Sequence, residues 1–359
     1  MTNIHDYLLW RGDILFSKEH PFNEVDSLVL ARFSYLPFDK IDIKDGETIG
    51  SLSKRLIELD DKDFLYNGDK ELATYIGTSS RFKDLVVTDF VKIDDKKMEK
   101  QFGGVVIHLP NNELYVSYLG TDKTINGWKE DFNMAFMDNV PCQVSGLEYL
   151  ENIFEKYNNK KIRIGGHSKG GNIALYSALL VNKMVQDNII KVDNFDGPGL
   201  NKEIFEKYDN KDIINKIETF IPQESIIGRL LEHREKITIC ESEEKGILQH
   251  DIYSWHVFQD ELVKLDKNTK ISEYINNTVI DWLKNTTREQ REIFVDTIFE
   301  LFNGAEVDSF GEILSSITKT VPKILKKYGT LTEEEKKIMT EMTKKFIVSY
   351  INVLRKKNK

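Results

Sequence analysis

Apolar residues near the start of the chain recur at the spacing of an amphipathic helix. The positions that would share one face are Val25, Leu28, Val29, Leu30, Phe33 and Leu36. A face of this width predicts a helix that packs against the rest of the protein. We therefore expect residues 1–85 to form an N-terminal helical segment on the core, with no catalytic pattern of its own.

The pattern changes to that of β-strands farther along the chain. Residues 105–108 and 114–119 are rich in strand-forming side chains, and residues 110–112 between them have the composition of a turn. These two runs predict a β-hairpin. We expect the sheet to begin there.

Strands and helices then alternate. Residues 161–165 predict a strand and residues 172–185 a helix, while Ser145 and Glu148 have the spacing of a capping box at the start of an earlier helix. Further strands are predicted at residues 189–195, 216–221 and 236–240. This alternation predicts an α/β fold with a mostly parallel central sheet, which would occupy residues 86–261.

Residues 262–359 lack strand patterns and predict amphipathic helices, among them 288–302 and 332–354. They would form a C-terminal helical extension or a cap on the core. The chain contains no internal repeat and no low-complexity tract, which argues against a repeat architecture.

Composition and charge narrow the class of protein. With 40% hydrophobic and 30% charged residues, the chain is typical of globular proteins. A net charge of -9 argues against a nucleic-acid partner, because phosphate binding requires clustered Lys and Arg. Cys142 and Cys240 are expected as reduced core thiols. The apolar stretch at residues 7–10 is too short for a signal peptide, and a cytoplasmic location is predicted.

Residues 166–170 read GHSKG and match G-x-S-x-G, the nucleophile elbow of serine hydrolases. In that turn the serine hydroxyl is lifted above the sheet, and the flanking small residues relieve crowding. A predicted strand leads into the motif and a predicted helix follows it, which is the arrangement that the motif requires. Ser168 is therefore the candidate nucleophile.

A serine hydroxyl needs a general base, usually a histidine oriented by a carboxylate. The chain has seven histidines, and the order serine, acid, histidine leaves His233, His250 and His256. His250 follows the last predicted strand in a loop, which is where the base is expected.

Two carboxylates compete for the role of the acid. Asp196 ends the strand after the nucleophile helix, and Glu224 ends the strand after that. Side chains at both strand ends can reach the active-site edge of a parallel sheet. Asp196 is preferred, because its short side chain is held more firmly, and Glu224 remains the alternative. The oxyanion hole is expected to use the amide of Lys169, after the nucleophile, and Thr121 from an earlier loop.

Several stretches together resemble the Mbeg1-like family of bacterial proteins, relatives of the class 3 lipases of the α/β-hydrolase fold. The matching stretches are YLLWRGD at residues 7–13, PFNEVD at 21–26, GHSKGGN at 166–172 and NFDGPG at 194–199, together with His250, Asp251, Ser254 and Trp255. The resemblance extends over the whole chain. It implies an α/β-hydrolase fold and hydrolase chemistry.

A second similarity concerns the oxyanion loop. Gly120 and Thr121, followed by Trp128 and Asp131, resemble a loop of class 3 lipases that supplies the oxyanion hole, although Leu119 stands where those lipases have arginine. This similarity implies Thr121 as a donor.

The two kinds of lipase imply different acids. The catalytic aspartate of class 3 lipases would fall near Glu224 and Ser225, whereas Asp196 resembles the acid position of pancreatic-type lipases. The resemblance therefore leaves both carboxylates open.

The residues and the resemblance together predict a serine hydrolase that cleaves a small-molecule or lipid acyl ester or thioester through an acyl-enzyme on Ser168. No metal or organic cofactor is expected. One alternative is a binding or scaffold protein that keeps the fold without catalysis. A membrane surface is a further possible partner, suggested by lysines among apolar residues at 321–327 and by the basic residues 355–359. The sequence does not indicate an oligomeric state.

Overall fold

The structure is a computed structural model that describes residues 2–122, 124–157, 160–304 and 317–357. It divides into two compact units. The first comprises Met1–Ile93, Phe102–Gly120 and Cys142–Thr269. The second comprises Asp94–Gln101, Thr121–Pro141 and Lys270–Lys359.

A nine-stranded sheet forms the centre of an α/β fold. The strands are β1 (Glu47–Thr48), β2 (Val86–Asp95), β3 (Lys100–Leu109), β4 (Glu113–Tyr118), β5 (Lys161–His167), β6 (Ile189–Phe195), β7 (Ile217–Pro222), β8 (Lys236–Cys240), β9 (Val257–Phe258), β10 (Glu261–Leu262) and β11 (Lys264–Leu265). Their order in the nine-stranded sheet is β1-β2-β3-β4-β5-β6-β7-β8-β11, and β9 and β10 form a separate antiparallel pair. Strands β4 to β8 run parallel, and antiparallel partners flank them on both sides. The predicted hairpin is confirmed as β3 and β4, and the α/β class is confirmed by the parallel centre.

The prediction that the sheet begins at the hairpin is wrong, because β1 and β2 precede it. Strand β2 was missed because its second half reads VKIDD and is only partly buried, so it carries little apolar signal. The prediction that residues 262–359 contain no strand also places the end of the sheet slightly too early. Strand β11 at Lys264–Leu265 closes the sheet against β8.

Nine helices flank the sheet among the described residues of the first unit. They are α1 (Ile4–Arg11), α2 (Glu24–Phe33), α3 (Ile49–Leu56), α4 (Asp69–Thr78), α6 (Pro141–Lys156), α7 (Lys169–Leu180), α8 (Lys183–Asn188), α9 (Lys202–Lys207) and α10 (Lys211–Ile214). The helix predicted for residues 172–185 is divided in two, because the Asn182 side chain accepts from the amide of Val185 and caps a new helix. The capping box at Ser145 is wrong. Helix α6 already begins at Pro141, a residue suited to the first turn.

The N-terminal helices share one hydrophobic core with the sheet. Leu28 and Phe33 of α2 belong to the same buried cluster as Val105, Tyr115 and Phe195 of the strands. Helix α2 packs against β5, the strand that leads to the candidate nucleophile. The N-terminal segment therefore packs against the strand that carries the candidate nucleophile.

Two buried ion pairs fix these helices. The guanidinium of Arg32 donates to both carboxylate oxygens of Asp69 at 2.7 Å, and Arg81 donates to both oxygens of Asp26 at 2.8 and 2.6 Å. All four side chains are buried. Removing one member of such a pair typically costs about 3–5 kcal/mol, because the other charge is left buried and unpaired.

The second unit is helical. Its helices are α5 (Ile125–Asn133), α11 (Lys270–Lys284), α12 (Arg288–Gly304), α13 (Ile317–Gly329) and α14 (Glu333–Lys357). The helices predicted at 288–302 and 332–354 are thus confirmed. Phe136, Val295 and Phe299 form the centre of a small apolar cluster in this unit. Within the part of the chain that the structure describes, no helix is both long and apolar enough to cross a membrane.

Candidate active site

Ser168 lies on the tight turn between β5 and α7. Its backbone has φ 59° and ψ -129°, a conformation that is strained for any residue other than glycine. Hydrogen bonds hold this turn: the Ser168 amide donates to the carbonyl of Phe195 at 2.9 Å, and the Ser168 carbonyl accepts from the amide of Gly171 at 2.9 Å. The side chain is only partly buried, so a substrate can reach it.

The two glycines of the motif are required by close backbone contacts. A Cβ on Gly166 would lie 2.3 Å from the carbonyl carbon of Gly170, and one on Gly170 would lie 2.2 Å from the carbonyl oxygen of Tyr118. Both distances are far below van der Waals contact. Larger residues at these positions would force β5, α7 and β4 apart and move Ser168.

His250 and Asp196 are brought together although they are 54 residues apart in the sequence. His250 ends a short 3-10 helix, Gly246–His250, and its Nδ1 lies 2.6 Å from Oδ2 of Asp196. Asp196 follows β6 directly, and its side chain is 1% exposed. A carboxylate can only accept, so Nδ1 of His250 donates to Asp196, and Nε2 is the ring nitrogen that can accept a proton.

The other oxygen of Asp196 is held by residues that follow β7. Oδ1 accepts from Oγ of Ser225 at 2.5 Å and from the amide of Gly228 at 3.2 Å. The Asp196 amide in turn donates to the carbonyl of Phe220 at 2.8 Å. Sequence reasoning missed this role of Ser225. Its position at the end of the next parallel strand was the available signal.

Glu224 does not share this arrangement. Its Oε2 accepts from the amide of Gly246 at 2.7 Å, and its own amide donates to Oε1 of Gln249 at 2.7 Å. These bonds tie the end of β7 to the loop that carries His250. The observed contacts of Glu224 therefore hold the loop that carries His250 and do not include His250 itself.

His167 supports the loop from the other side. Its Nε2 donates to the carbonyl oxygen of His250 at 2.8 Å, and the two rings lie 4.6 Å apart between centroids. Complete burial lowers the pKa of His167 well below its ordinary value of 6.5, and nearby His250 and Arg32 lower it further. His167 is therefore neutral, with its proton on Nε2.

The remaining two candidate bases have other partners. Nδ1 of His233 lies 2.6 Å from Oε1 of Glu235. Nδ1 of His256 lies 3.2 Å from Oε2 of Glu241.

The residues expected at the oxyanion hole fall in different units. Lys169 is the first residue of α7, so its amide belongs to the N-terminal end of that helix. Gly120 closes the preceding loop against the turn, since a Cβ there would lie 2.5 Å from the carbonyl oxygen of His167. Thr121 begins the second unit, where its hydroxyl donates to Oδ2 of Asp131 at 2.5 Å.

Comparison with known proteins gives one family. The sequence profile of the Mbeg1-like family matches residues 76–300, a stretch that contains Thr121, Ser168, Asp196, Glu224 and His250. A search of curated protein sequences finds no significant match.

Several solved structures overlap with part of the chain. The M37 lipase is 16% identical, and the overlap covers 56% of this chain and 68% of the lipase with a TM-score of 0.38. The Lip2 lipase from Yarrowia lipolytica is 10% identical, and the overlap covers 60% of this chain and 78% of the lipase with a TM-score of 0.35. Lipase II from Rhizopus niveus is 12% identical, and the overlap covers 60% of this chain and 81% of the lipase with a TM-score of 0.34. Overlap at these scores does not assign a chemistry or a substrate.

Proposed function

Because the chain belongs to the Mbeg1-like family and has an α/β-hydrolase fold, we propose that it is a serine hydrolase that cleaves an ester or thioester. The observation that carries the proposal is the pairing of His250 with buried Asp196, in a protein whose Ser168 occupies a strained strand-to-helix turn. Strained backbone at such a turn is a cost that functional sites commonly retain. The proposed triad is Ser168, His250 and Asp196.

The contact between Nδ1 of His250 and Asp196 suits His250 to act as a general base. With the proton of its ring held on Nδ1 by Asp196, Nε2 accepts the proton of Ser168 as Oγ attacks the carbonyl carbon of the substrate. The tetrahedral intermediate collapses when His250 returns that proton to the leaving oxygen or sulfur, which leaves an acyl group on Ser168. Water then attacks the acyl-enzyme with His250 again as base, and a carboxylic acid is released. Asp196 stabilises the imidazolium formed in each step.

We propose the amide of Lys169, at the N-terminal end of α7, as a donor in the oxyanion hole. It would donate to the oxygen on which negative charge develops in the tetrahedral intermediate. Thr121, the second donor predicted from the sequence, lies in the second unit, and its role stays a prediction. The hydroxyl of Thr121 already donates to Asp131, so its main effect would be to orient the loop. No step of this mechanism uses a metal or an organic cofactor.

A fluorophosphonate probe tests the proposal directly, because it labels only an activated serine. We expect the wild-type protein to be labelled and to hydrolyse p-nitrophenyl or acyl-CoA esters, and we expect Ser168→Ala to lose both. Loss of the nucleophile in a triad typically removes on the order of 10⁶ in rate. The matched control is Ser177→Ala on the same helix, which should keep both signals.

Unlabelled, folded wild-type protein with no turnover on either ester class would overturn the proposal. The chain would then be a binding or scaffold protein with a hydrolase fold. Labelling that persists in Ser168→Ala would mean that another residue is the nucleophile.

A further inference from the structure

The outer face of α14 changes character along the helix. Met342 and Ser349 are buried, and the indole nitrogen of Trp282 donates to the carbonyl of Met342 at 3.1 Å, so one side of α14 packs on its own unit. On the opposite side, Thr340, Thr343 and Lys344 are exposed and polar. One turn farther on, the exposed residues are apolar.

This apolar patch consists of Ile347, Val348 and Ile351, which are 52%, 53% and 38% exposed, with Tyr350 beside them at 47%. Residues three and four apart lie next to each other on a helix, so these side chains form one continuous surface. Isolated exposed apolar residues are ordinary. Four within five positions on one helix require an explanation.

The stretch of sequence that contains the patch is positively charged. Residues 342–359 contain six Lys or Arg and no Asp or Glu. Residues 317–359 contain 12 Lys or Arg against 4 Glu, a net charge of +8, although the whole chain carries -9. The basic charge is thus concentrated in the stretch that also exposes the apolar patch.

We propose that the outer face of α14 binds the surface of a bilayer that contains anionic lipids. Ile347, Val348 and Ile351 would enter the boundary between headgroups and acyl chains, and Tyr350 would lie at that boundary, where aromatic rings with a polar end are favoured. The exposed Lys344, one turn before the patch, would pair with lipid phosphates. Basic clusters on an amphipathic helix are typical of binding to anionic lipids.

The form of the patch favours lipid over another helix or a second copy of the chain. A helical partner requires an apolar row that continues over several turns, as in a coiled coil. Here the row is interrupted by Thr340, Thr343 and Lys344, and the apolar part spans only about 7 Å along the axis at 1.5 Å per residue. A short apolar wedge with flanking cations is sufficient for interfacial binding.

Vesicle flotation with the full chain tests this proposal. Wild-type protein should float with vesicles of phosphatidylcholine mixed with phosphatidylglycerol, should float much less with pure phosphatidylcholine, and should be released by salt. The double variant Ile347→Gln and Ile351→Gln should lower partitioning by about tenfold or more, since two aliphatic side chains no longer enter the lipid. Both positions are exposed, so thermal melting should be unchanged.

Matched variants separate this face from general surface effects. Met184→Gln with Phe258→Gln removes two exposed apolar side chains from the first unit and should bind vesicles as wild type does. Ser168→Ala should also bind, because the proposal is independent of catalysis.

Two results would overturn the proposal. One is folded wild-type protein that floats with neither kind of vesicle. The other is an Ile347→Gln, Ile351→Gln variant that floats as well as wild type. If light scattering instead shows a wild-type dimer that this variant converts to a monomer, without vesicle binding, a second copy covers the face.

Discussion

Asp196→Asn tests the proposed triad at the contact that defines it. Oδ2 of Asp196 accepts from Nδ1 of His250 at 2.6 Å, while Oδ1 accepts from Ser225 at 2.5 Å and from Gly228 at 3.2 Å. Two donors at Oδ1 require that asparagine keep its oxygen on that side. Its amide nitrogen then faces Nδ1 of His250, which can stay hydrogen-bonded only as an acceptor. The ring proton moves to Nε2, and the base can no longer receive the serine proton.

The expected loss follows from this change of tautomer. Enzymes that depend on the acid lose up to about 10⁴ in kcat when it becomes an amide. At about 1.36 kcal/mol per factor of ten, this is about 5.5 kcal/mol of transition-state stabilisation. The fold should survive, because the substitution keeps the shape and both hydrogen bonds at Oδ1.

Glu224→Gln is the matched control. Its carboxylate accepts from the amide of Gly246, and a glutamine oxygen can accept the same bond. We expect this variant to retain most of the wild-type turnover. Both variants would be assayed with p-nitrophenyl esters, and thermal melts would establish that each is folded. An inactive Glu224→Gln together with an active Asp196→Asn would refute the reasoning and assign the acid to Glu224.

Three further predictions concern the surroundings of the site. His167→Phe keeps an aromatic ring, although a larger one, and removes the donor to the carbonyl of His250, so kcat should fall by roughly tenfold while KM changes little; an unchanged kcat would leave His167 with packing alone. Thr121→Val removes the hydroxyl bound to Asp131 and should lower turnover by up to roughly 10²-fold, whereas Thr121→Ser should stay near wild type; equal activity of both would show that this hydroxyl does not orient the loop. Burial raises the pKa of Asp193 from 3.8 to about 6, so its contribution to stability is fully present below about pH 4 and is lost as the pH rises through 6. Asp193→Asn should therefore make the free energy of unfolding less dependent on pH between 4 and 6, by no more than about 3 kcal/mol, in denaturant titrations.

Local sequence was sufficient for the elements whose signals are local. The apolar runs of β3 to β7 predicted the strands, because those strands are mostly buried and an apolar run is the direct consequence. Where burial was partial, as in β2, the same reasoning failed. The false capping box at Ser145 failed for a different reason. The spacing rule considers only residues 145–148, whereas the helix already begins at Pro141.

The turn at Ser168 was determined by the sequence alone. Gly166 is needed where β5 and α7 approach each other within one strand–turn–helix unit, so the five-residue pattern contains that constraint. Gly170 is needed because α7 approaches the backbone of Tyr118 in β4, a contact that the pattern alone does not show. The sequence also narrowed the base to three histidines and the acid to two carboxylates, through chain order and strand ends.

Only the tertiary structure decided which of these groups meet. The contact of Asp196 with His250, the support from Ser225, and the bond from His167 to the carbonyl of His250 join residues 54, 29 and 83 positions apart. Such contacts depend on how β6 and β7 align in the sheet and on the path of the loop after β8. A hydrogen bond is made or lost within a few tenths of an ångström. Composition and spacing fix strand ends to within a residue or two, which is several ångströms, and packing of the whole core supplies the remaining precision.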